Sequence, residues 1–213
     1  DFERQTYDAI NQGISLNPIL NSFQETVNKF DIDRKLIDTF LRSMEMDLHP
    51  DREYDQEAYE DYILGSAEVV GLMCLKVFCY GNETEYERLK LNAMKLGSAF
   101  QKINFLRDLK ADYNDLGRTY FPGVNLNHFN DFTKAEIEED IERDFKAGFE
   151  GIVELPKKAR FGVYVAYVYY YALFRKIKAT PSAVILNQRV RIPNHNKYRL
   201  LLSSYVRHSF NIL

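Results

Sequence analysis

Apolar residues recur at intervals of three and four along almost the whole chain, and no stretch shows the every-second-residue alternation of a half-buried strand. Leu36, Ile37, Phe40, Leu41 and Met44 form one such stripe; Leu89, Ala93, Leu96, Phe100 and Ile103 form another. Punctuation residues divide the pattern into helices. The first runs from Asp1 to about Gln12 and starts without a cap. Asn17 ahead of Pro18 is an N-cap with proline at the first helical position, opening a helix to about Lys29. Asp31 or Asp33 caps the next, which closes at Asp47 and the His49-Pro50-Asp51 turn. Asp55 starts a long helix to Tyr80, stopped by Gly81. Its Gly65, Ser66, Ala67 and Gly71 imply close approach by another helix or by a ligand, because an interior glycine costs about 1 kcal/mol against alanine. Thr84-x-x-Glu87 and Thr133-x-x-Glu136 read as capping boxes. The first opens a central helix to about Tyr113, the second an acidic helix reaching toward Pro156. Helices from Pro156 to about Lys178, from Thr180-Pro181 to Asn187, and from about Asn196 onward complete the pattern. The expectation is one all-α domain over residues 1–213, a bundle of roughly eight helices.

Composition narrows the class. The chain has 15 Tyr, 15 Phe and no Trp, and few Gly or Pro, which suits long helices. A net charge of −3 without a long basic block argues against a nucleic-acid partner. Cys74 and Cys79 lie five apart in a helical segment, poor geometry for a disulfide, so two reduced thiols are expected. No signal peptide is visible, and the apolar-looking run from Phe161 to Phe174 is shorter than the roughly 18–20 residues a spanning helix needs. A soluble, cytoplasmic protein is expected, with room for peripheral contact with a membrane. His49, His128, His195 and His208 are scattered and suggest no metal cluster. The acidic run Glu136 to Asp144 reads as a solvated helix face. The tyrosines between Tyr164 and Tyr171 read as core with hydroxyls at the rim.

One stretch carries chemistry. At about 100° per residue, Gln101, Asn104, Asp108 and Asp112 fall on one narrow stripe of the central helix. Two aspartates alone would suggest a solvated face; two amides in register with them suggest a site. Carboxylates one turn apart can bind Mg²⁺, or Mn²⁺ in its place, and such an ion readily shares phosphate oxygens of a substrate. Arg107, Arg118 and Arg189 can supply the positive charge that holds a diphosphate. Abundant Tyr and Phe suit a long hydrocarbon, and aromatic faces attract a carbocation. Together these features suggest ionisation of an allylic diphosphate inside a helical, apolar cavity.

Gln101-x-x-Asn104-x-x-Arg107-Asp108-x-x-x-Asp112, followed by Gly117-Arg118-x-Tyr120-x-Pro122, resembles the second aspartate-rich motif of the phytoene and squalene synthase family. Leu41-Arg-Ser-Met44-Glu-Met46-Asp47-Leu48 is similar to that family's helix before the pocket. Tyr62-x-x-Gly65-x-Ala67-x-x-Val70-Gly71 is similar to its Tyr and small-residue signature. Ala166 to Ile177, followed by Arg189-Val190, is similar to its C-terminal tyrosine helix and basic turn. The resemblance implies a head-to-head prenyl synthase of the all-α isoprenoid synthase type, acting on two prenyl diphosphates with no obligatory protein partner. It implies Asp108 and Asp112 as Mg²⁺ ligands, Gln101 and Asn104 beside them, and Arg107, Arg118 and Arg189 on diphosphate. Tyr62 and Tyr170 would line the cation site. Two geranylgeranyl diphosphates condensed to phytoene through a cyclopropyl diphosphate is the first expectation. Squalene or dehydrosqualene synthesis from farnesyl diphosphate, and a non-catalytic assembly or binding factor, are the alternatives.

The sequence departs from the family pattern in two places. Ala111 stands where a glutamate usually precedes the second aspartate. The family's first aspartate-rich motif, a DxxxD expected ahead of Asp1, is not within residues 1–213. The chain as it stands is therefore expected to be incomplete for catalysis.

Overall fold

A computed structural model describes residues 1–48, 54–116 and 120–212, with backbone alone at 111–116. The described residues form helices and connecting turns, with no strand among them. In order these are α1 (Phe2–Gln12), α2 (Pro18–Phe30), α3 (Arg34–Met46), α4 (Gln56–Ile63), α5 (Val69–Cys79), α6 (Glu83–Leu116), α7 (Asp131–Glu154), α8 (Lys157–Lys178), α9 (Ser182–Ile185) and α10 (Asn194–Ser209). A π-turn at Leu64–Glu68 joins α4 to α5, so Gln56–Cys79 is one continuous rod. Nine rods result among the described residues, close to the expected eight.

Local chemistry explains most of the boundaries. Asn17 accepts from the amides of Ile19 and Leu20 ahead of α2, and Asp55 accepts from Ala58 ahead of α4. Both expected capping boxes are displaced. Asn82 accepts from the Glu85 amide at the start of α6, and Asn130 accepts from Phe132 and Thr133 at the start of α7. Each asparagine lies two or three residues before the threonine read as the cap. Its short amide satisfies the orphan amides first, and the threonines fall inside the helix. The His49-Pro50-Asp51 turn lies outside the described residues.

Helix α6 runs through the centre, with α5, α7 and α8 packed around it. Glycine makes the α5–α6 approach possible: a Cβ on Gly71 would sit 2.7 Å from the Ala93 carbonyl oxygen, and one on Gly97 2.6 Å from that of Ala67. The small residues of the long rod therefore serve helix packing, and Ser66, Ala67 and Gly71 also line the cavity described below. Just before the π-turn the Tyr62 carbonyl accepts from the Ser66 hydroxyl within the rod and from the Ser43 hydroxyl of α3, which ties the rod to that helix. By length and composition Gln56–Cys79 could cross a membrane, a feature missed when the longest apolar run was placed at Phe161 to Phe174. Its Val69, Leu72 and Leu75 are buried in the bundle, and its Val70, Cys74 and Phe78 face a cavity described below.

The acidic run on α7 is a solvated face only in part: Glu136 and Glu139 are exposed, Asp140 and Glu142 half-buried. Glu138 and Asp144 are buried, the first paired with Lys134 one turn earlier on α7 and the second with Lys102 of α6. A charge pattern along one helix does not reveal that a neighbouring helix presents lysines to it.

Candidate functional site: an arginine-clamped aspartate beside an apolar cavity

Four helices border an open-sided cavity of about 480 Å³. Val70 and Cys74 of α5, Leu96 and Phe100 of α6, Ile152 of α7 and Val163 of α8 are among the side chains lining it. Leu89, Ala93, Leu96 and Phe100, read from periodicity as a packing stripe, thus face this space. Gln101 also lines it and begins the polar stripe. The Asn104 amide nitrogen lies 3.5 Å from Gln101 Oε1, and the Tyr170 hydroxyl donates to Asn104 Oδ1 at 3.4 Å. Asp108 follows one turn later, roughly 10 Å along the helix from Gln101 at 1.5 Å per residue.

Two guanidinium groups grip the Asp108 carboxylate. Arg107 Nε and Nη2 donate to Oδ1 and Oδ2 at 3.0 and 2.6 Å. Arg189, from the loop after α9, reaches the same oxygens with Nε at 2.6 Å and Nη2 at 3.1 Å. Lys110 Nζ donates to the Asn187 carbonyl at 3.1 Å and holds that loop against α6. The hydrogen bonds and charge of Asp108 raise the Arg107 pKa further above its already high ordinary value, against the effect of burial. Two bidentate arginines on one carboxylate leave one surplus positive charge among the described side chains. The Asp108 side chain keeps 20% exposure, so the group can exchange partners with an incoming anion. Asp112 continues the stripe, but its side chain, like Ala111, Gly117 and Arg118, lies outside the described residues.

Neither tyrosine expected in the cation site is among the side chains that line this cavity. Tyr170 stacks on Phe100, ring centroids 4.1 Å apart at 17°, and so backs the cavity wall. Its neighbour Tyr169 turns away, with Lys197 Nζ 5.5 Å from its ring centroid. Tyr62 sits in an aromatic cluster with Tyr54, Phe105 and Tyr120, in which Phe105 and Tyr120 stack at 4.1 Å. Its hydroxyl donates to both carboxylate oxygens of Asp47, at 3.0 and 3.1 Å. Burial, with added effects of Tyr120 and Asp47, pushes the Tyr62 phenol far up in pKa and keeps it protonated. Asp47, read from sequence as part of a turn, is thus the residue that orients Tyr62. The available signal was its place in the Met44-Glu-Met46-Asp47 stretch.

Among the described residues no three His, Cys, Asp or Glu side chains converge on a metal position. Asp108 fits a hard divalent ion in donor chemistry, but as one carboxylate it would need further oxygens from substrate, water or Asp112.

The fold and this site define an all-α isoprenoid-synthase-type protein. The squalene/phytoene synthase family profile matches residues 1–196, and the chain belongs to that family. It is 31% identical over 127 residues to a 4,4'-diapophytoene synthase of Staphylococcus haemolyticus, covering 59% of this chain and 41% of that protein. It is 25% identical over 172 residues to a bifunctional lycopene cyclase/phytoene synthase of Neurospora crassa, covering 70% of this chain and 28% of that protein. The chain therefore spans less than half the length of either relative. A crystal structure of a dehydrosqualene synthase in complex with ligand superposes with a TM-score of 0.78 at 20% identity, over 97% of this chain and 76% of that one. Squalene synthase HpnC from Alicyclobacillus acidocaldarius gives 0.70 at 19% identity, over 84% and 71%.

Proposed function

We propose that the protein is a head-to-head prenyltransferase that joins two geranylgeranyl diphosphates into phytoene, in carotenoid biosynthesis. The observation that carries this reading is the pair of bidentate arginines on Asp108, on the same helix that walls the apolar cavity. Arg107 and Arg189 would turn from the carboxylate to the diphosphate of the substrate, whose charge exceeds that of Asp108. The freed carboxylate, with Asp112, would hold Mg²⁺. The ion would neutralise the diphosphate as it leaves.

The carbon–oxygen bond of one substrate breaks and its electron pair leaves on diphosphate. The allylic cation then alkylates the double bond of the second substrate, and loss of a proton closes the cyclopropane. Loss of the second diphosphate, rearrangement and loss of another proton complete the product. The apolar lining would keep water from both cations once the substrates fill the open side of the cavity, and the Phe100–Tyr170 stack offers an aromatic wall against which positive charge is favourable. Tyr62, kept protonated and oriented by Asp47, would serve as a fixed hydrogen-bond group beside Phe105.

The diapophytoene synthase relative and the dehydrosqualene synthase neighbour favour a second reading within the same reaction type, with farnesyl diphosphate as substrate. Incubating the full-length protein with Mg²⁺ and either the C15 or the C20 diphosphate separates the two. Phytoene from the C20 substrate is expected, whereas hydrocarbon from C15 alone would overturn the phytoene assignment. An unchanged biological role after replacing both Asp108 and Asp112 by alanine would instead make the protein a non-catalytic binding factor.

A further inference from the structure

Arg189 reaches Asp108 from the stretch between α9 and α10, and that stretch has little of its own to hold a side chain in place. Helix α9 is a single turn, Ser182–Ile185. Its last backbone bonds run from the Asn187 and Gln188 amides to the Val184 carbonyl. From Arg189 to Ile192 no backbone group bonds to another among the described residues. Val190 and Ile192 are buried, at 6% and 8%, and Arg189 and Arg191 are exposed in alternation with them, as in an extended segment. The two buried side chains fix which side of the segment faces the core. They do not fix how the backbone lies between α6 and α8.

Two lysines from different helices supply that hold. Lys110 Nζ of α6 donates to the Asn187 carbonyl at 3.1 Å, and Lys176 Nζ of α8 donates to the Arg191 carbonyl at 2.7 Å. These carbonyls lie two residues before Arg189 and two residues after it. Lys110 follows Asp108 by two residues on the same helix, so its bond ties the loop to the element that carries the carboxylate. Lys176 ties the other end to α8, whose Tyr170 hydroxyl bonds Asn104 of the polar stripe. An ammonium has three donors and no acceptor, so each lysine satisfies a loop carbonyl without competing for the Arg189 guanidinium.

Both lysines are exposed, so neither is needed to fill the core. An exposed lysine gains little by giving up its freedom in water. Here two of them, on separate helices, fold down onto backbone carbonyls on either side of one arginine. We propose that Lys110 and Lys176 are positioning residues for Arg189. They fix the backbone on both sides of it, so the guanidinium meets an incoming diphosphate without the loop having to be ordered first. The proposal rests on the reading that Arg189 holds the diphosphate of the substrate, and it requires neither lysine to touch that substrate.

Steady-state kinetics and calorimetric binding of inorganic diphosphate with Mg²⁺, both on the full-length protein, test it. K110M and K176M should each raise KM for the prenyl diphosphate, and Kd for inorganic diphosphate, about threefold. Together they should raise both about tenfold, with kcat nearly unchanged. K110R and K176R keep a cationic donor and should return both constants to within about twofold of the parent protein. Because the lysines act through Arg189, K110M with K176M should add nothing in an R189M background. Both side chains are exposed, so melting temperature should stay the same. A loss of equal size with and without Arg189 would overturn the inference and make the lysines direct charge contacts. So would constants unmoved by the double variant in a protein where R189M weakens both. R189M without effect on either constant would instead overturn the diphosphate role of Arg189, and the positioning role with it.

Discussion

Helix α6 carries two ion clusters, centred six residues apart on Lys102 and Asp108, that serve different purposes. On one face, Lys102 is buried between Asp140 and Asp144 of α7, with Nζ 2.7 Å from Asp144 Oδ2. Lys95 reaches the other oxygen of Asp144 at 3.2 Å, and Arg143 approaches Asp140 at 3.1 Å. On another face, about 120° away, Asp108 is held by Arg107 and Arg189. The Lys102 and Asp144 side chains keep 9% and 4% exposure, whereas those of Asp108 and Arg189 keep 20% and 47%. Burial makes the first cluster a structural lock, since separating its charges would strand one of them in a low dielectric. Partial exposure, with cations in surplus, lets the second exchange its internal anion for an external one. The same residue types on the same helix become fold or site according to solvent access.

The strongest challenge to this contrast is Lys102→Met. It should cost about 3–5 kcal/mol of stability by leaving Asp144 buried without its close partner, as read by denaturant unfolding. The protein that still folds should keep its turnover per mole. Asp108→Ala should do the reverse, lowering kcat/KM about 10²–10³-fold with little change in melting temperature. A large stability loss for Asp108→Ala with activity retained would place both clusters in the structural class. Arg189→Lys sharpens the comparison further. A point charge cannot grip two oxygens at once, so KM for the diphosphate substrate should rise about tenfold, whereas deletion of the charge should cost more.

The smallest expected effect is on pH dependence. Burial would raise the Asp140 carboxyl, but its bonds to Lys102 and the charge of Arg143 bring it below the ordinary value. Burial would lower the Lys102 ammonium, but Asp140 and Asp144 carry it above the ordinary value. A depressed carboxylate stabilises the fold above its unfolded pKa, and this is lost as pH falls through the folded one. A raised ammonium stabilises below its unfolded pKa, and this is lost as pH rises through the folded one. The cluster should therefore contribute a plateau between about pH 4 and pH 10. Melting curves across pH should show its acid limb flattened by Asp140→Asn, and a limb left unchanged would remove this cluster from the acid response.

The helical class, most helix spans and the Gln101–Asn104–Asp108 register were legible because they depend on spacing along one helix. So was Arg189, through resemblance, although its loop lies 81 residues from Asp108. The role of Asp47 was not legible, because the bond to Tyr62 joins the end of α3 to the rod that follows. The buried state of Glu138 and Asp144 was hidden for a similar reason: no property of α7 alone shows which helix will cover it.

The sequence by itself determined an all-helical chain, a membership pattern centred on residues 101–112, and a polar stripe with arginine beside aspartate. These follow from periodicity and local chemistry, which act within a few turns of one helix. The tertiary structure alone decided that the apolar stripe of α6 faces a cavity and that two guanidinium groups close on Asp108. Each of these is a relation between helices, set by which surfaces burial brings together.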